Sequence, residues 1–454
     1  MDQPEHIPSA AAIALNRFGL GARPGAAPLA DPRAWLIDQF GRYESRPAGF
    51  AALADAGTLL DQYREGVRAA RATEAATAER QLARRNLRDA AQSLYREGVQ
   101  ARTDAALLTE APFVERMVHF WSNHFCVSAD NPRVAALAPA FERDAIRPHV
   151  LGRFQDMLLA AVRHPAMLLY LNQVGSIGPS SPAAQRAPDR NRGLNENLAR
   201  EIMELHTLGA RSDYTQQDVT AFARALTGWS TGRRGLFTFR APQHEPGTQT
   251  ILGRRYAQPG VEQAHAALLD FAAAPATATH VASKLARHLT GDNPSQAIIR
   301  RLTGAFTRSG GDLPTLYRTL IDSPEAWSPA GRKFKTPWEW TISALRGLGC
   351  RTAASLPIAA LQTQLGQRVW RPGAPAGWDD TAAAWAGSDA LLRRVEVAQR
   401  FAAAPVSQGV DARALAPQIL PGALSAATSQ QIARAESPAA ALALLLASPD
   451  FLRR

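Results

Sequence analysis

Apolar positions recur at intervals of three and four along most of the chain, the spacing of helices that each bury one face. The stretch 195–209 shows it most sharply: at about 100° per residue, Leu198, Ile202 and Leu205 form a narrow apolar seam, and Gly209 stands where a left-handed C-cap belongs. One edge of the seam carries Asn197, Glu201 and Glu204, and the other carries His206 above Ala199 and Asn195. Polar groups bordering a buried seam are half-desolvated, so they need a partner such as a metal, an arginine or a substrate.

The same period predicts helices on either side. Ser9 caps one over 10–18, and the glycine-rich turn 19–25 lacks the preceding strand and the spacing of a dinucleotide or phosphate loop. A second helix covers 32–40. Between 59 and 103, alanine, arginine and glutamate alternate without proline, the composition of a long helical arm with solvated faces. Pro112 opens a helix over 113–125 in which Phe113, Met117, Phe120, Trp121 and His124 share one side. His119 falls nearly opposite, between Glu115 and Asn123. Five residues place His119 and His124 about 140° apart, so a straight helix does not aim both at one ion, unlike an HExxH pair.

Helices over 135–145 and 152–172 and a Gly/Ser/Pro-rich loop over 175–193 lead into 195–209. Thr215 caps the next helix, with Asp218 at its third position favouring the dipole. Gly228-Trp-Ser-Thr-Gly232 has the spelling of a hydrolase nucleophile elbow. A helix precedes it and a strand follows, which is not the required strand, turn, helix order, so Ser230 is not expected to be a nucleophile. Alternation over 236–239 and 248–252 predicts the two arms of a β-hairpin, with His244-Glu245 in a connection placed to close over a site. Helices return at 261–273, 277–289, 296–309, 313–323, 338–348, 388–403 and 438–447, and an irregular loop over 370–378 is aromatic enough to line a pocket.

The predicted fold is mostly α, a large multi-helix body with a small β-hairpin insertion. Residues 1–110 hold N-terminal helices and the Ala/Arg-rich arm, 111–230 a helical core carrying the candidate site, 231–260 the hairpin, and 261–454 a helical region packed with the core.

Composition narrows the chemistry. With 454 residues and 46% hydrophobic content the chain buries a large core. The net charge is +11, yet of 51 basic residues only Lys284, Lys333 and Lys335 are lysines. That skew, together with abundant alanine, looks like a coding bias, and the arginines interleave with Asp and Glu rather than forming a stripe, which argues against a nucleic-acid role. Cys126 and Cys350 fit no CxxC pattern, which excludes a disulfide framework or a zinc ribbon. No apolar run is long enough to span a bilayer, and no basic segment followed by an apolar one marks a signal peptide, so a cytoplasmic location is expected.

Several landmarks carry a family resemblance: Arg17-Phe-Gly-Leu-Gly21, His119-Phe-Trp-Ser-Asn-His-Phe125, His164-Pro-Ala-Met167, the stretch 195–209, Ala223-Arg-Ala-Leu-Thr-Gly-Trp229, Lys284-Leu-Ala-Arg-His288, Phe334-Lys-Thr-Pro337, Gly377-Trp378 and Ser448-Pro-Asp-Phe451. In order and over nearly the whole length, these resemble the bacterial family known as domain of unknown function 1800. The resemblance implies a periplasmic or cell-surface setting as an alternative to the cytoplasm, and a sulfatase-like neighbour, domain of unknown function 1501, as partner. Glu245 stands where the resemblance implies aspartate.

Two functions follow as expectations. One is a metal-dependent, hydrolase-like enzyme with His119, Glu201 and Glu204 catalytic. Its divalent ion (zinc, manganese or iron) would be drawn from His119, His124, Glu201, Glu204, His206 and His244. Glu201 and Glu204 lie three apart, close enough to share a proton or a cation. The other is a non-catalytic helical binding or accessory protein for the sulfatase-like partner, with the same carboxylates in buried networks with arginines such as Arg200, Arg224 or Arg287.

Overall fold

Ser9, Asp31, Asn131, Thr215, Asp312 and Thr336 each stand in extended backbone before a helix, and each side-chain oxygen accepts a first-turn N–H. At Thr215/Asp218 and Thr336/Glu339 the bond is reciprocated, so both ends of each capping box are satisfied. The resulting architecture, a computed structural model covering residues 8–72, 77–186, 193–210, 212–232, 235–330 and 332–454, is mostly helical with two small antiparallel hairpins. The N-terminal segment and residues 187–192 of the long loop lie outside the described residues.

The arm comprises Ala56–Ala72 and Thr77–Leu108, packed together with Gly66 directly against Leu87. The second of these helices is largely exposed over residues 78–90, then buries Ala91, Tyr95, Val99, Ala101 and Ala105, so its far half is core. Two helices lie at the centre of that core. Every residue of Pro112–His124 is buried except His119 and Asn123, and Pro337–Gly347 is buried throughout. Arg116 joins them: its guanidinium donates to the carbonyls of Phe18 at 3.1 Å and Gly19 at 2.9 Å and pairs with Glu339, which also meets Arg454 at 2.9 Å. Two buried cations hold the Glu339 carboxyl well below the usual range, although burial alone would raise it.

The structure corrects two local expectations. Residues 236–239 and 248–252 do not pair with each other. Phe237–Phe239 pairs with Trp229–Thr231, and Gln249–Ile251 pairs with Arg254–Tyr256 across a two-residue turn in which Leu252 and Gly253 both have positive φ. Alternation marks the strands but not their partners, and three residues, Trp229–Thr231, are too few to show a strand by alternation. The second correction falls on 195–209. An α-helix spans only Asn197–Glu201 and continues as a π-helical turn over Ile202–His206. Widening the turn rotates the downstream residues, so Met203 and His206 are buried with Ile202, while Leu205 is only half-buried. Among the described residues no helix is long and apolar enough to cross a membrane.

Candidate functional site

The two positions of Pro112–His124 that escape burial line a cavity of about 420 Å³. That size falls within the roughly 300–1,000 Å³ typical of small-molecule sites. Asn123 fixes one wall: its Nδ2 donates to the Trp378 carbonyl at 2.9 Å and its Oδ1 accepts the Trp378 N–H at 2.8 Å. Gly377, at φ +83°, passes so close that a Cβ would stand 2.5 Å from the Asn123 carbonyl oxygen, so only glycine fits. The loop over 370–378 thereby brings Trp370 and Trp378 to the cavity, facing Phe120 and Trp338. His119 Nδ1 accepts from Trp338 Nε1 at 3.2 Å, while its Nε2 lies 3.5 Å from Glu115. Nδ1 is thus taken up by Trp338 while Nε2 forms no hydrogen bond among the described residues, and burial pushes the ring's pKa down, so His119 is held neutral against Trp338.

The opposite wall is the helix Pro275–Thr290. Lys284, Arg287 and His288 stand at i, i+3 and i+4 on it, and all three line the cavity. His288 Nδ1 lies 2.8 Å from Asp380 Oδ2, and its Nε2 has no hydrogen-bond partner among the described residues. Burial pushes His288 down to about 4, against the opposing pull of Asp380, so at neutral pH the ring holds its proton on Nδ1 and a free lone pair on Nε2. Asp380 is itself fixed by Lys333, 3.2 Å away, whose ammonium also donates to the Arg287 carbonyl at 2.8 Å. Burial alone would raise the Asp380 carboxyl; His288 and Lys333 outweigh it and hold the group below its ordinary value.

Most cations around the cavity are neutralised. Arg102 pairs with Glu142 at 3.1 Å and lies over the rings of Trp338 and Trp370, at 4.7 and 5.3 Å from their centroids. Arg116 is taken up by Glu339. Lys284 differs: it is half-buried, forms no hydrogen bond or ion pair with the described residues, and burial pushes it down to about 8.

Of the six sequence-predicted ligands, only His119 and His124 line this cavity. His124 lies among Phe120, Trp121, Phe125 and Phe154 and donates from Nε2 to the His206 carbonyl at 3.0 Å. His206 is buried with its Nδ1 unpartnered, and His280 bonds the preceding carbonyl, that of Leu205, at 2.9 Å. His244 sits at the hairpins, 3.0 Å from the Thr227 carbonyl, where Glu245 accepts the Ser180 N–H at 2.8 Å. Glu201 and Glu204 are half-buried outside the cavity and have no arginine partner among the described residues: Arg200 turns instead to Glu196 and Gln216. Burial, then the charge of Glu204, raises the Glu201 carboxyl. Among the described residues no three His, Cys, Asp or Glu side chains gather as a metal-ligand set. The buried carboxylate networks are centred instead on Glu115, Glu142 and Glu339.

Cys126 also lines the cavity, but its thiol is pushed up to about 12 by burial and points to the Pro375 carbonyl at 3.0 Å, which leaves it unreactive. Ser230 is a buried strand residue outside the cavity, with an unpartnered hydroxyl. Sequence reasoning missed Lys284, His288, Asp380 and Trp338. One signal was available. In a chain with this bias toward arginine, all three lysines border the cavity or its supporting core, where a compact titratable ammonium differs most from a guanidinium.

No curated protein and no solved structure matches the chain. A family described as "Protein of unknown function (DUF1800)" matches residues 13–453, from the first helix to the penultimate residue. The match includes both walls of the cavity and the loop between them, and the chain therefore belongs to the DUF1800 family.

Proposed function

We propose that the protein is a hydrolase-like acid–base enzyme whose general base is His288, aligned by Asp380, with the tryptophan-lined cavity as its substrate site. The observation that carries this reading is the free Nε2 of a neutral imidazole whose Nδ1 is fixed on a half-buried carboxylate at 2.8 Å. In such a pair the imidazole takes a proton from water as the oxygen adds to the substrate. The carboxylate steadies the transient imidazolium, and the proton then passes to the leaving group. Lys284, unpaired one helical turn away, supplies positive charge for the oxyanion that develops.

The test is hydrolysis of a panel of p-nitrophenyl esters and glycosides by the wild type and by His288→Gln, with folding checked by thermal melting. A fall of about 10²–10⁴-fold is expected for the variant on any substrate turned over. Equal turnover by both proteins would overturn the assignment and favour the alternative, a binding role for the same cavity in an accessory to a sulfatase-like partner.

A metal reading rests on a different observation: Glu201 and Glu204 act on each other as like charges with no ion pair among the described residues, and burial raises Glu201. Two carboxylates are an incomplete donor set, so no step is routed through an ion there. Elemental analysis of the purified protein, with and without Glu201→Ala and Glu204→Ala, reads this directly.

A further inference from the structure

The cavity carries a charge imbalance that acts on a bound ligand before any oxyanion develops. Arg102 and Arg116 are neutralised by Glu142 and Glu339, and Lys333 faces Asp380 and Asp292 at 3.2 and 3.5 Å. Lys284 and Arg287 are left, one half-buried and one exposed, both lining the cavity and neither side chain with a hydrogen bond or ion pair to a described residue. A half-buried ammonium with no ion pair of its own is costly even with Asp379 and the already shared Asp380 on the cavity wall, and an anion entering the cavity would offset that cost. The remaining surface adds shape. The indoles of Trp338 and Trp378 line the cavity together with Gln367, His288 and Asp379, and the Gln367 amide has only its oxygen engaged among the described residues, by the backbone N–H of Trp338 at 2.8 Å. Flat apolar faces beside scattered donors and acceptors match a hydroxylated ring, whose C–H face stacks while its hydroxyls bond.

We propose that the cavity binds a sugar unit bearing one anionic group, a carboxylate, sulfate or phosphate, with Lys284 as the principal contact to that charge and Arg287 guiding it in. This rests on the cavity being the substrate site and names the class of substrate. Groups from every neighbouring element bear on Lys284: His124 and Cys126 from the first wall, His206 from the π-helical turn, His280 and Arg287 from its own helix, and Asp380 from the loop. The three histidines are neutral at pH 7 and the thiol is protonated, so Asp380, already shared by His288 and Lys333, is the sole anion among them.

The experiment is calorimetric titration of the full chain with glucuronate, glucose 6-sulfate, glucose 6-phosphate and neutral glucose, which needs no turnover. At least one anion should bind ten-fold or more tightly than glucose, and the tightest arm identifies the group. Lys284→Met should erase the preference to within about two-fold while leaving glucose binding unchanged. In the wild type the preference should decline above about pH 8, where the ammonium loses its proton; in Lys284→Arg it should persist. Anions binding no better than glucose, or a preference that survives Lys284→Met, would overturn the proposal. Should Lys284→Met not fold, the wild-type pH titration decides alone: a preference flat from pH 7 to 9.5 also overturns it. A failure here with His288-dependent turnover intact removes the anionic substrate class and leaves the acid–base assignment standing. Anion preference without any turnover does the reverse.

Discussion

The helix at Asn197–His206 and the helix Pro275–Thr290 carry similar sequence signatures, charged side chains at helical spacing beside an apolar seam, and differ in what stands opposite them. The first presents Glu201 and Glu204 away from the cavity, and its last carbonyls are secured by His124 and His280. The second presents Lys284, Arg287 and His288 to a concave wall completed by Asp380, 92 residues from His288. Density of charge therefore marks the edge of a buried seam, whereas a site also needs convergence from distant segments. The first property is local in sequence and the second is not.

The sharpest way to break this contrast is to neutralise the groups on each helix in turn. His288→Gln is expected to lower turnover by about 10²–10⁴-fold, while the double variant Glu201→Gln, Glu204→Gln stays within about two-fold of wild type. The reverse ranking in the p-nitrophenyl assay would move the site back to the Asn197–His206 helix.

Stability should divide the regions as clearly. Glu339 lies between Arg116 and Arg454, all three buried, so Glu339→Gln leaves two cations without their counter-charge. Breaking a buried network of this kind costs about 3–5 kcal/mol, to be read as a lowered urea midpoint at pH 7. A loss below about 1 kcal/mol would mean that water or a neighbouring group already screens the pair.

Much of this architecture was legible from residues and much was not, for identifiable reasons. Ser9, Pro112, Thr215 and the Thr336/Glu339 box signal helix starts through local hydrogen bonding, so the helices and the mostly α fold could be read directly. The π-helical turn over Ile202–His206 has no such signal. It shifts the buried set by one position and undoes a wheel drawn at 100° per residue. At the site, His119 and the 370–378 loop were legible from their placement on an amphipathic helix and from aromatic content. His288 was overlooked because nothing near it in sequence announces Asp380. Lys284 stands in a motif that marks the family but names no role, and three lysines among 51 basic residues read as compositional bias until the cavity sets them apart.

Acid should weaken both helices of the contrast, since His206 stands on the first and His280 and His288 on the second. His206 is pushed down to about 3, and His280 and His288 to about 4, in each case by burial first, whereas an unfolded chain holds these groups near 6.5. Below that value the unfolded state binds protons that the folded state excludes, so stability should fall as pH drops from about 6.5 toward 4. Urea midpoints across this window should decline, and less steeply in His280→Gln. A flat profile would show that the rings charge without unfolding. The same groups bound the active range: catalysis dependent on neutral His288 and charged Lys284 should hold between about pH 4 and 8.

The smallest effect isolates the Asn197–His206 helix itself. Glu201 and Glu204 raise each other's cost as like charges without a counter-ion, and burial adds to it at Glu201. A like pair at this spacing destabilises a helix by about 0.2–0.5 kcal/mol, so Glu201→Gln should stabilise the protein by about that amount at pH 7 and by less at pH 4, where the carboxyl is already protonated. If the two carboxylates held a cation, the sign would invert: Glu201→Gln would destabilise, and added chelator would lower the wild-type melting temperature toward that of the variant. Differential scanning calorimetry with and without EDTA therefore separates an idle pair from a binding pair by sign alone. A stabilising substitution that chelator does not alter would place the chemistry of this fold on the Pro275–Thr290 helix.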